Sequence, residues 1–378
     1  MKQIRTIAIF TLVEHKNKDG KFYGYGPYVK EINIWTRYFD KVIIVAPKSD
    51  DNVIEAIDLA YLHHNIEFKS IPHFNIKSIT NLFKLGIKLP AIALKMISAM
   101  RKSNHLHFRS PSNVAAIASV LQIFFPSKKK TVKYAGNWDP KSRQPFGYRF
   151  QKWLFSNTSL SKNMKVLVYG EWQKQSHNVL PFFTASFNEV DKIDFLNKDY
   201  SSALKFIYLG ALVEGKQPLL VIQIVEQLLK NHLEVELHMY GYGKLYQPLQ
   251  DYITSKKLTS AIFLHGNKPF NDIKEEIKKA HFTILPSKSE GWPKALAEGM
   301  FFGVIPVATA VSCIPWMLDN GKRGILIASE LNSAVAKIEE ELKRGNSHLN
   351  SVAFKAQNWA QQFTLDSFEE GVRQVLEV

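Results

Sequence analysis

One cysteine, Cys313, stands in a chain of 378 residues. A lone thiol forms no internal disulfide and builds no thiolate metal cluster, so the fold must rest on ordinary apolar cores, and a reducing compartment is expected. Long apolar runs are lacking as well. The longest, Val114 to Phe125, is interrupted by Ser119 and Gln122, well short of the roughly 18 to 20 residues that span a bilayer. No transmembrane helix is expected. Met1 to Arg5 followed by Thr6 to Val13 has the charge and apolar order of a signal peptide. The apolar part is short, however, runs straight into Glu14-His15-Lys16, and offers no small-residue cleavage site. It reads as a first β-strand, and the expected location is the cytoplasm.

Carboxylates are missing from a long stretch. Residues 68–138 hold no Asp or Glu but carry 12 basic side chains. The net charge of +15 arises wholly in the first half, where residues 1–200 hold 30 Lys plus Arg against 15 Asp plus Glu, while residues 201–378 hold 19 against 19. Such a block points to an anionic partner for the first half. Lys77, Lys84, Lys88, Lys95 and Lys102 share one stripe of a 3.6-residue helix, with Ile76, Ile79, Phe83, Leu94 and Ile97 off it. Pro90 would kink or split that helix. The stripe reads either as a solvated face or as a surface for an anionic bilayer, peripheral on the inner face of the cytoplasmic membrane. No recognition motif accompanies the basic residues, so nucleic acid is not the expected partner.

With 46% apolar and 22% charged residues, the chain is long enough for two cores. Short runs rich in β-branched and aromatic residues alternate with helical patterns, the mark of parallel-sheet α/β units. In the first half the strand candidates are Thr6–Leu12, Lys41–Ala46, Leu106–Phe108, Thr131–Tyr134 and Lys165–Tyr169. In the second they are Lys205–Leu209, Val235–Tyr240, Ala261–Leu264, Phe282–Leu285, Val304–Val307 and Gly324–Ile327. Each half thus supplies a five- or six-stranded sheet, and Pro181 to Ser202, without a clean period, is the hinge candidate. Arg344 to Asn350 breaks the pattern before a terminal helix from Ala356 onward. The predicted division is a first domain over 1–185, a second over 203–355, and a terminal helix over 356–378 that packs back on the first.

The chemistry concentrates in Phe282-Thr-Ile-Leu-Pro-Ser-Lys-Ser-Glu290-Gly-Trp-Pro-Lys-Ala-Leu-Ala-Glu298-Gly-Met-Phe-Phe-Gly-Val-Ile-Pro-Val307. It reads strand, loop, helix, strand, with Pro293 in the first helical turn and Gly303 at the end. The helix begins at the carboxyl edge of a sheet, where α/β proteins bind ligands. Free N–H groups around Gly291, Trp292, Lys294 and Ala295, with the positive end of the helix dipole, make an anion site suited to a diphosphate. Glu290 and Glu298 are too far apart for one metal pair. As ionised carboxylates they accept hydrogen bonds only, which suits two separate hydroxyl-rich groups.

Two glutamates separated by seven residues, the first followed by Gly and the second on a helix that ends in Gly, resemble the donor motif of retaining glycosyltransferases of the GT-B fold. The group, called group 1 or family 4, builds bacterial polysaccharides and glycolipids. Tyr208-Leu-Gly210-Ala-Leu-Val-Glu-Gly215-Lys216 resembles its first phosphate loop, Met239-Tyr-Gly241-Tyr-Gly243 its later Gly-rich turn, and Leu264-His-Gly266-Asn267 the loop lining its nucleobase pocket. The resemblance covers residues 204–328, and the first half matches in layout alone. It implies two Rossmann-like domains facing across a cleft and transfer of a sugar from a nucleoside-diphosphate sugar to an acceptor hydroxyl, on a saccharide or lipid-linked saccharide, with retention of configuration. It implies further that Glu298 binds the ribose hydroxyls, Glu290 the transferred sugar and Lys216 the diphosphate beside Gly210, and that no metal is needed. One departure stands out: the family carries an arginine directly after the glycine of the first phosphate loop, and here that position is Ala211.

In the first half, Leu106-His107-Phe-Arg109-Ser-Pro111 resembles the family's loop after the fourth strand, where an acceptor-facing histidine is usual. Arg109 occupies that place, with His107 two residues earlier. An arginine is no general base at neutral pH, so its expected role is to bind an anionic group of the acceptor. Asp139 in Asn137-Trp-Asp-Pro either faces the cleft or caps a turn, and Tyr23-Gly24-Tyr-Gly26-Pro27 reads as a flexible loop near substrate. Two other readings fit the same residues: a non-catalytic binding protein on this scaffold, and a nucleotide-sugar epimerase.

Overall fold

The structure, a computed structural model, describes residues 4–74 and 79–378, with the side chains of 79–85 outside the description. Of the lysine stripe, Ile76 and Lys77 lie outside the described residues, as do the side chains of Ile79, Phe83 and Lys84. The chain divides into two compact units, one of Met1–Phe182 with Glu369–Val378, the other of Phe183–Phe368.

The first unit opens with β1 (Thr6–Phe10), β2 (His15–Lys18) and β3 (Lys21–Tyr25), then α1 (Gly26–Thr36), β4 (Lys41–Pro47), β5 (Asp58–Ala60) and β6 (Ile66–Ile71). It continues through α2 (Ile79–Lys102), β7 (His105–Ser110), α3 (Asn113–Leu121), β8 (Lys129–Tyr134), α4 (Phe146–Ser156), β9 (Met164–Tyr169) and β10 (Val179–Phe182). Seven of these strands form one parallel sheet in the order β10-β9-β8-β7-β1-β4-β6. β1 is buried at every position, and β4 at all but its first, because a parallel strand covered by helices on both faces must be apolar throughout.

Two strands of that sheet escaped the sequence reading for identifiable reasons. β6, Ile-Glu-Phe-Lys-Ser-Ile, sits at an edge and carries charge, with Glu67 paired to Lys41 at 2.6 Å and to Lys69 at 2.9 Å. β10 contains Pro181 at the opposite edge, where a missing N–H leaves no ladder bond unmade. The expected flexible loop Tyr23 to Pro27 is instead the end of β3 and the start of α1. A Cβ on Gly26 would sit 2.3 Å from the Ile57 carbonyl oxygen, so that glycine serves packing rather than motion.

In the second unit come β11 (Leu204–Leu209), α5 (Pro218–Lys230), β12 (Val235–Tyr240), α6 (Tyr246–Ser255), β13 (Ile262–Gly266) and α7 (Phe270–Lys279). Then follow β14 (Phe282–Leu285), α8 (Lys294–Phe301), β15 (Ile305–Thr309), α9 (Ile314–Met317), β16 (Ile325–Ile327), α10 (Leu331–Leu342) and α11 (Gly345–Ala360). The six strands are parallel in the order β13-β12-β11-β14-β15-β16. That order reverses between β11 and β14, which opens a crevice at their carboxyl ends.

The end of the chain differs from expectation. Arg344 to Asn350 does not break the helical pattern for long: Gly345, at φ +79°, makes the turn alone, and α11 starts there. Asn346 and Asn350 lie within α11 and accept hydrogen bonds from the backbone N–H groups of Tyr200 and Lys198. The single helix expected over 356–378 is two pieces, the end of α11 and α12 (Leu365–Leu376), separated at Thr364, whose hydroxyl accepts from the Ser367 N–H. The unit division falls inside α12, between Phe368 and Glu369.

Candidate active site

At the carboxyl edge of the second sheet the loops after five strands are tied to one another. Gly210 N–H donates to the Tyr240 carbonyl at 3.0 Å, Leu212 N–H to Tyr242 at 3.2 Å, and Gly241 N–H to Gly266 at 2.9 Å. Glycine is required where these loops touch. A Cβ on Gly241, at φ +134°, would lie 2.0 Å from the Gly210 carbonyl oxygen, and one on Gly243 2.5 Å from that of Leu212. Lys288 N–H donates to the Gly215 carbonyl at 2.9 Å, joining the loop after β14 to the loop after β11. The loop after β15 completes the set, with the Thr309 hydroxyl donating to the Ser287 carbonyl at 2.5 Å.

Glu290 is fixed within this net. Its backbone N–H donates to the Ser312 hydroxyl at 3.1 Å, and its side chain, 6% exposed, accepts from Lys216 Nζ at 2.5 Å. Lys216 closes a short turn held by its own N–H on the Val213 carbonyl, and Gln217 at φ +52° then turns the chain into α5. An isolated buried carboxylate is costly, and the pairing with Lys216 offsets that cost. Cys313, next to it in space, donates its thiol to the Gly291 carbonyl at 3.1 Å. Burial, opposed in part by a backbone hydrogen bond and reinforced by the charge of Glu290, pushes that thiol up to about 12. The lone cysteine is therefore a loop brace and not a nucleophile.

Glu298 lies on α8, and its Oε1 accepts from the Ser186 hydroxyl at 2.5 Å. α8 sits flush on β14 because residue 299 is glycine: a Cβ there would lie 2.1 Å from Thr283 Oγ1. The helix start offers fewer free donors than its sequence suggests. Lys294 N–H donates to the Trp292 carbonyl, and the N–H groups of Leu296 and Ala297 to that of Pro293. The Trp292 indole is turned away into an aromatic cluster with Trp359 (6.1 Å between centroids, 20° between planes), Trp316 and Phe363. Its backbone is thus the part left to meet a ligand, and its ring anchors the loop.

Gly210, Lys216, Glu290, Gly291, Trp292, Lys294 and Glu298 therefore belong to one sheet edge. Asn267 is exposed, one residue past Gly266 at φ +67°. Near it, the His238, His265 and Tyr240 rings stack along β12 and β13, His265 on Tyr240 at 4.6 Å, lining a groove of about 820 Å³. The sequence reading missed that stack, and missed Ser186 and Ser312. One imidazole in the carboxyl half of each of β12 and β13, His238 and His265, was the available signal for the first. Nothing local marks the two serines.

The first-half candidates lie in the other unit. His107 is 1% exposed, its Nδ1 2.9 Å from the Thr131 hydroxyl and its ring 4.6 Å from that of Trp35. Burial, with the neighbouring His105, Arg109 and Lys133, holds it well below its ordinary value. His107 is therefore a core residue, packed between Thr131 and Trp35. Arg109 ends β7 with its guanidinium 3.2 Å from Glu31, a carboxylate 5% exposed. Burial acts to lower its pKa, but Glu31 and two tyrosines outweigh that and raise it. Its first task is to neutralise Glu31. Asp139 caps a turn, accepting from the Lys141 N–H at 2.8 Å.

Two units built on parallel, Rossmann-like sheets, the second with a glycine-tied crevice at its strand-order reversal, define the GT-B class of fold. Residues 190–359 match the family described as glycosyl transferases group 1. A glycosyltransferase of Methanocaldococcus jannaschii, described as uncharacterized, is 25% identical over 192 residues, 50% of this chain and 52% of that protein. The amylovoran biosynthesis glycosyltransferase AmsK of Erwinia amylovora is 28% identical over 159 residues, 40% of this chain and 39% of its own. The chain thus spans about half the length, or less, of these curated relatives. HepE of Anabaena, solved in complex with UDP and glucose, shares the fold over 99% of this chain and 100% of its own, with a TM-score of 0.70 and 14% identity.

Proposed function

We propose that the protein transfers a glycosyl group from a nucleoside-diphosphate sugar to an acceptor hydroxyl on a saccharide or lipid-linked saccharide, with retention at the anomeric carbon. The observation that carries this reading is the buried Glu290 held against Lys216 at 2.5 Å, with Glu298 further along the same sheet edge. Without ligand, Lys216 neutralises Glu290. A bound diphosphate would compete for Lys216 and release the carboxylate to accept from sugar hydroxyls, while Glu298 exchanges the Ser186 hydroxyl for those of a ribose. As the anomeric C–O bond breaks, Lys216 and the start of α8 stabilise the leaving diphosphate. The departing oxygen takes the acceptor proton on the face where the new C–O bond forms, so no side-chain base is needed. Incubation with UDP-, GDP- and ADP-sugars and a saccharide acceptor tests the proposal. Transfer with the donor's anomeric configuration in the product supports it, and absence of both transfer and hydrolysis across the panel overturns it.

The same proposal places the first unit on an anionic bilayer. In α2, Ile87 and Leu94 are 70% and 67% exposed, beside the exposed Lys88 and Lys95, in a stretch of sequence without carboxylates. Apolar side chains that enter the interface and lysines worth about 1 kcal/mol each near negative lipid suit that surface. Among the described residues no helix is long and apolar enough to cross a membrane. Flotation with phosphatidylcholine vesicles, with and without phosphatidylglycerol, should retain the protein on the anionic vesicles alone. Equal recovery on both would refute the docking.

A further inference from the structure

A cavity of about 240 Å³ lies in the first unit between the loop after β8 and one face of α4, and neither the donor reading nor the family match extends to it. Arg149, Lys152, Trp153 and Ser156 form one wall, at the spacings that bring side chains to a single helix face. Trp138 and Gln144 form the other, and Gln175 closes one end. No carboxylate lines it.

The walls are built, not loosely collapsed. The Trp138 indole N–H donates to Gln175 Oε1 at 2.9 Å, and Tyr134 packs edge-on against its ring at 4.8 Å. Lys152 Nζ lies 5.0 Å from the centre of the same ring and donates to the Trp138 carbonyl at 2.6 Å. Gln144 donates to the Ser142 hydroxyl at 2.8 Å. Two groups in this frame are open to a ligand, although the Trp153 ring also leans on that of Phe150 at 5.9 Å. The Arg149 side chain has no hydrogen bond or ion pair among the described residues, and the Trp153 ring is 54% exposed one turn along the helix. Burial lowers Lys152 to about 8, against a smaller opposing effect of Asp139, so an incoming anion would favour its charged form.

We infer that this cavity binds a carboxylate-bearing monosaccharide, a hexuronic acid unit, with the carboxylate on Arg149 and Lys152 and the pyranose ring against Trp153. A guanidinium fork matches a carboxylate bidentately, and an aromatic face matches the C–H face of a sugar. The volume is below the range that holds drug-sized ligands, which limits the occupant to about one ring. Neutral sugars lack the charge that Arg149 awaits, and a bare phosphate leaves Trp153 unused.

Calorimetric titration of the full chain with methyl glucuronide, methyl glucoside and inorganic phosphate tests this. Saturable glucuronide binding at millimolar concentration is expected, with the glucoside and phosphate each at least tenfold weaker. Arg149→Ala should weaken glucuronide at least tenfold with an unchanged melting temperature, and Trp153→Ala should weaken it several-fold. Equal binding of glucoside, phosphate binding as tight as glucuronide, or glucuronide binding indifferent to both substitutions would overturn the assignment, as would no saturation at all. Donor transfer in the second unit is not part of this assay, so its failure leaves the glycosyltransferase proposal standing, and the reverse also holds.

Discussion

Lys216 and Glu290, 74 positions apart in sequence, meet at 2.5 Å at the carboxyl edge of the second sheet, the lysine 30% and the glutamate 6% exposed. The lysine comes from the loop after β11 and the glutamate from the loop after β14, the two strands between which the sheet order reverses. Removing the lysine strands a buried charge, whereas removing both partners does not. Lys216→Met should therefore destabilise the second unit by about 1 to 3 kcal/mol, below the cost of breaking a fully buried pair because Lys216 is partly solvated. The double variant Lys216→Met with Glu290→Met should recover most of that loss while donor binding stays lost. Thermal melts beside donor titrations separate the two effects, and a double variant no more stable than the single would contradict the pairing.

Glu298 is partly exposed, and its Gln variant keeps an oxygen to accept from Ser186, so its replacement tests binding more than folding. Glu298→Gln keeps the shape and removes the charge that strengthens hydrogen bonds from ribose hydroxyls, a loss of about 2 to 3 kcal/mol. kcat/KM for the donor should fall roughly 30- to 150-fold by that arithmetic, with the melting temperature unchanged. Unaltered kinetics on the folded variant would remove Glu298 from the site.

Ala211 is exposed in the loop after β11, its carbonyl accepting from the Tyr208 hydroxyl at 3.0 Å. Only backbone there is engaged, so a long cationic side chain can be added without breaking a contact. Ala211→Arg should tighten nucleoside-diphosphate binding by about tenfold through one charge-assisted hydrogen bond. A thermal-shift series with UDP, GDP and ADP reads it, since the ligand stabilises by mass action.

The proposed chemistry draws its positive charge from Lys216 and the helix start. Chelation of divalent ions should accordingly leave transfer unchanged, and Lys216→Ala should abolish it with or without added magnesium. A rate lost to EDTA and restored by a metal would oppose the mechanism.

Acid should weaken the first unit early. His15 and His105 are buried and lowered to about 4 and about 3, in each case chiefly by desolvation. The unfolded chain binds protons at about 6.5, so both groups contribute stability that is present above that pH and declines as pH falls toward their folded values. Each adds a slope of about 1.4 kcal/mol per pH unit in that window. Glu67, lowered to about 2 by hydrogen bonds from Lys41 and Lys69, contributes stability lost only below about 4.5. Denaturant unfolding at pH 7, 6 and 5 should show the decline, and His105→Asn should flatten it.

Much of the second unit was legible in the sequence. All six of its strands stand within a residue or two of where their runs of apolar, β-branched and aromatic residues place them, because parallel strands covered on both faces are mostly apolar. Glu290 and Glu298 stand in the loop and helix that the sequence pattern marks out, and Lys216 in the loop after β11 that the resemblance singles out. The first unit hid more. β6 alternates charge with apolar residues, β10 carries a proline, and both are edge strands, where period and composition resemble a loop. The burial of His107 against Trp35 was not legible, because a histidine near a strand end looks the same in sequence whether it faces solvent or core.

Sequence alone determined the alternation of strand and helix, the basic first half, and a loop-to-helix segment bearing two carboxylates. These depend on residue types at short spacings, which local propensity and periodicity encode. Only the tertiary structure decided that Lys216 neutralises Glu290, that Ser186 and Ser312 hold the two acids, that Trp292 is an anchor, and that His107 belongs to the core. Each of those outcomes pairs groups more than twenty residues apart or turns on which way a side chain faces, and the energy that selects among the options comes from burial and desolvation, which exist only once the chain has packed.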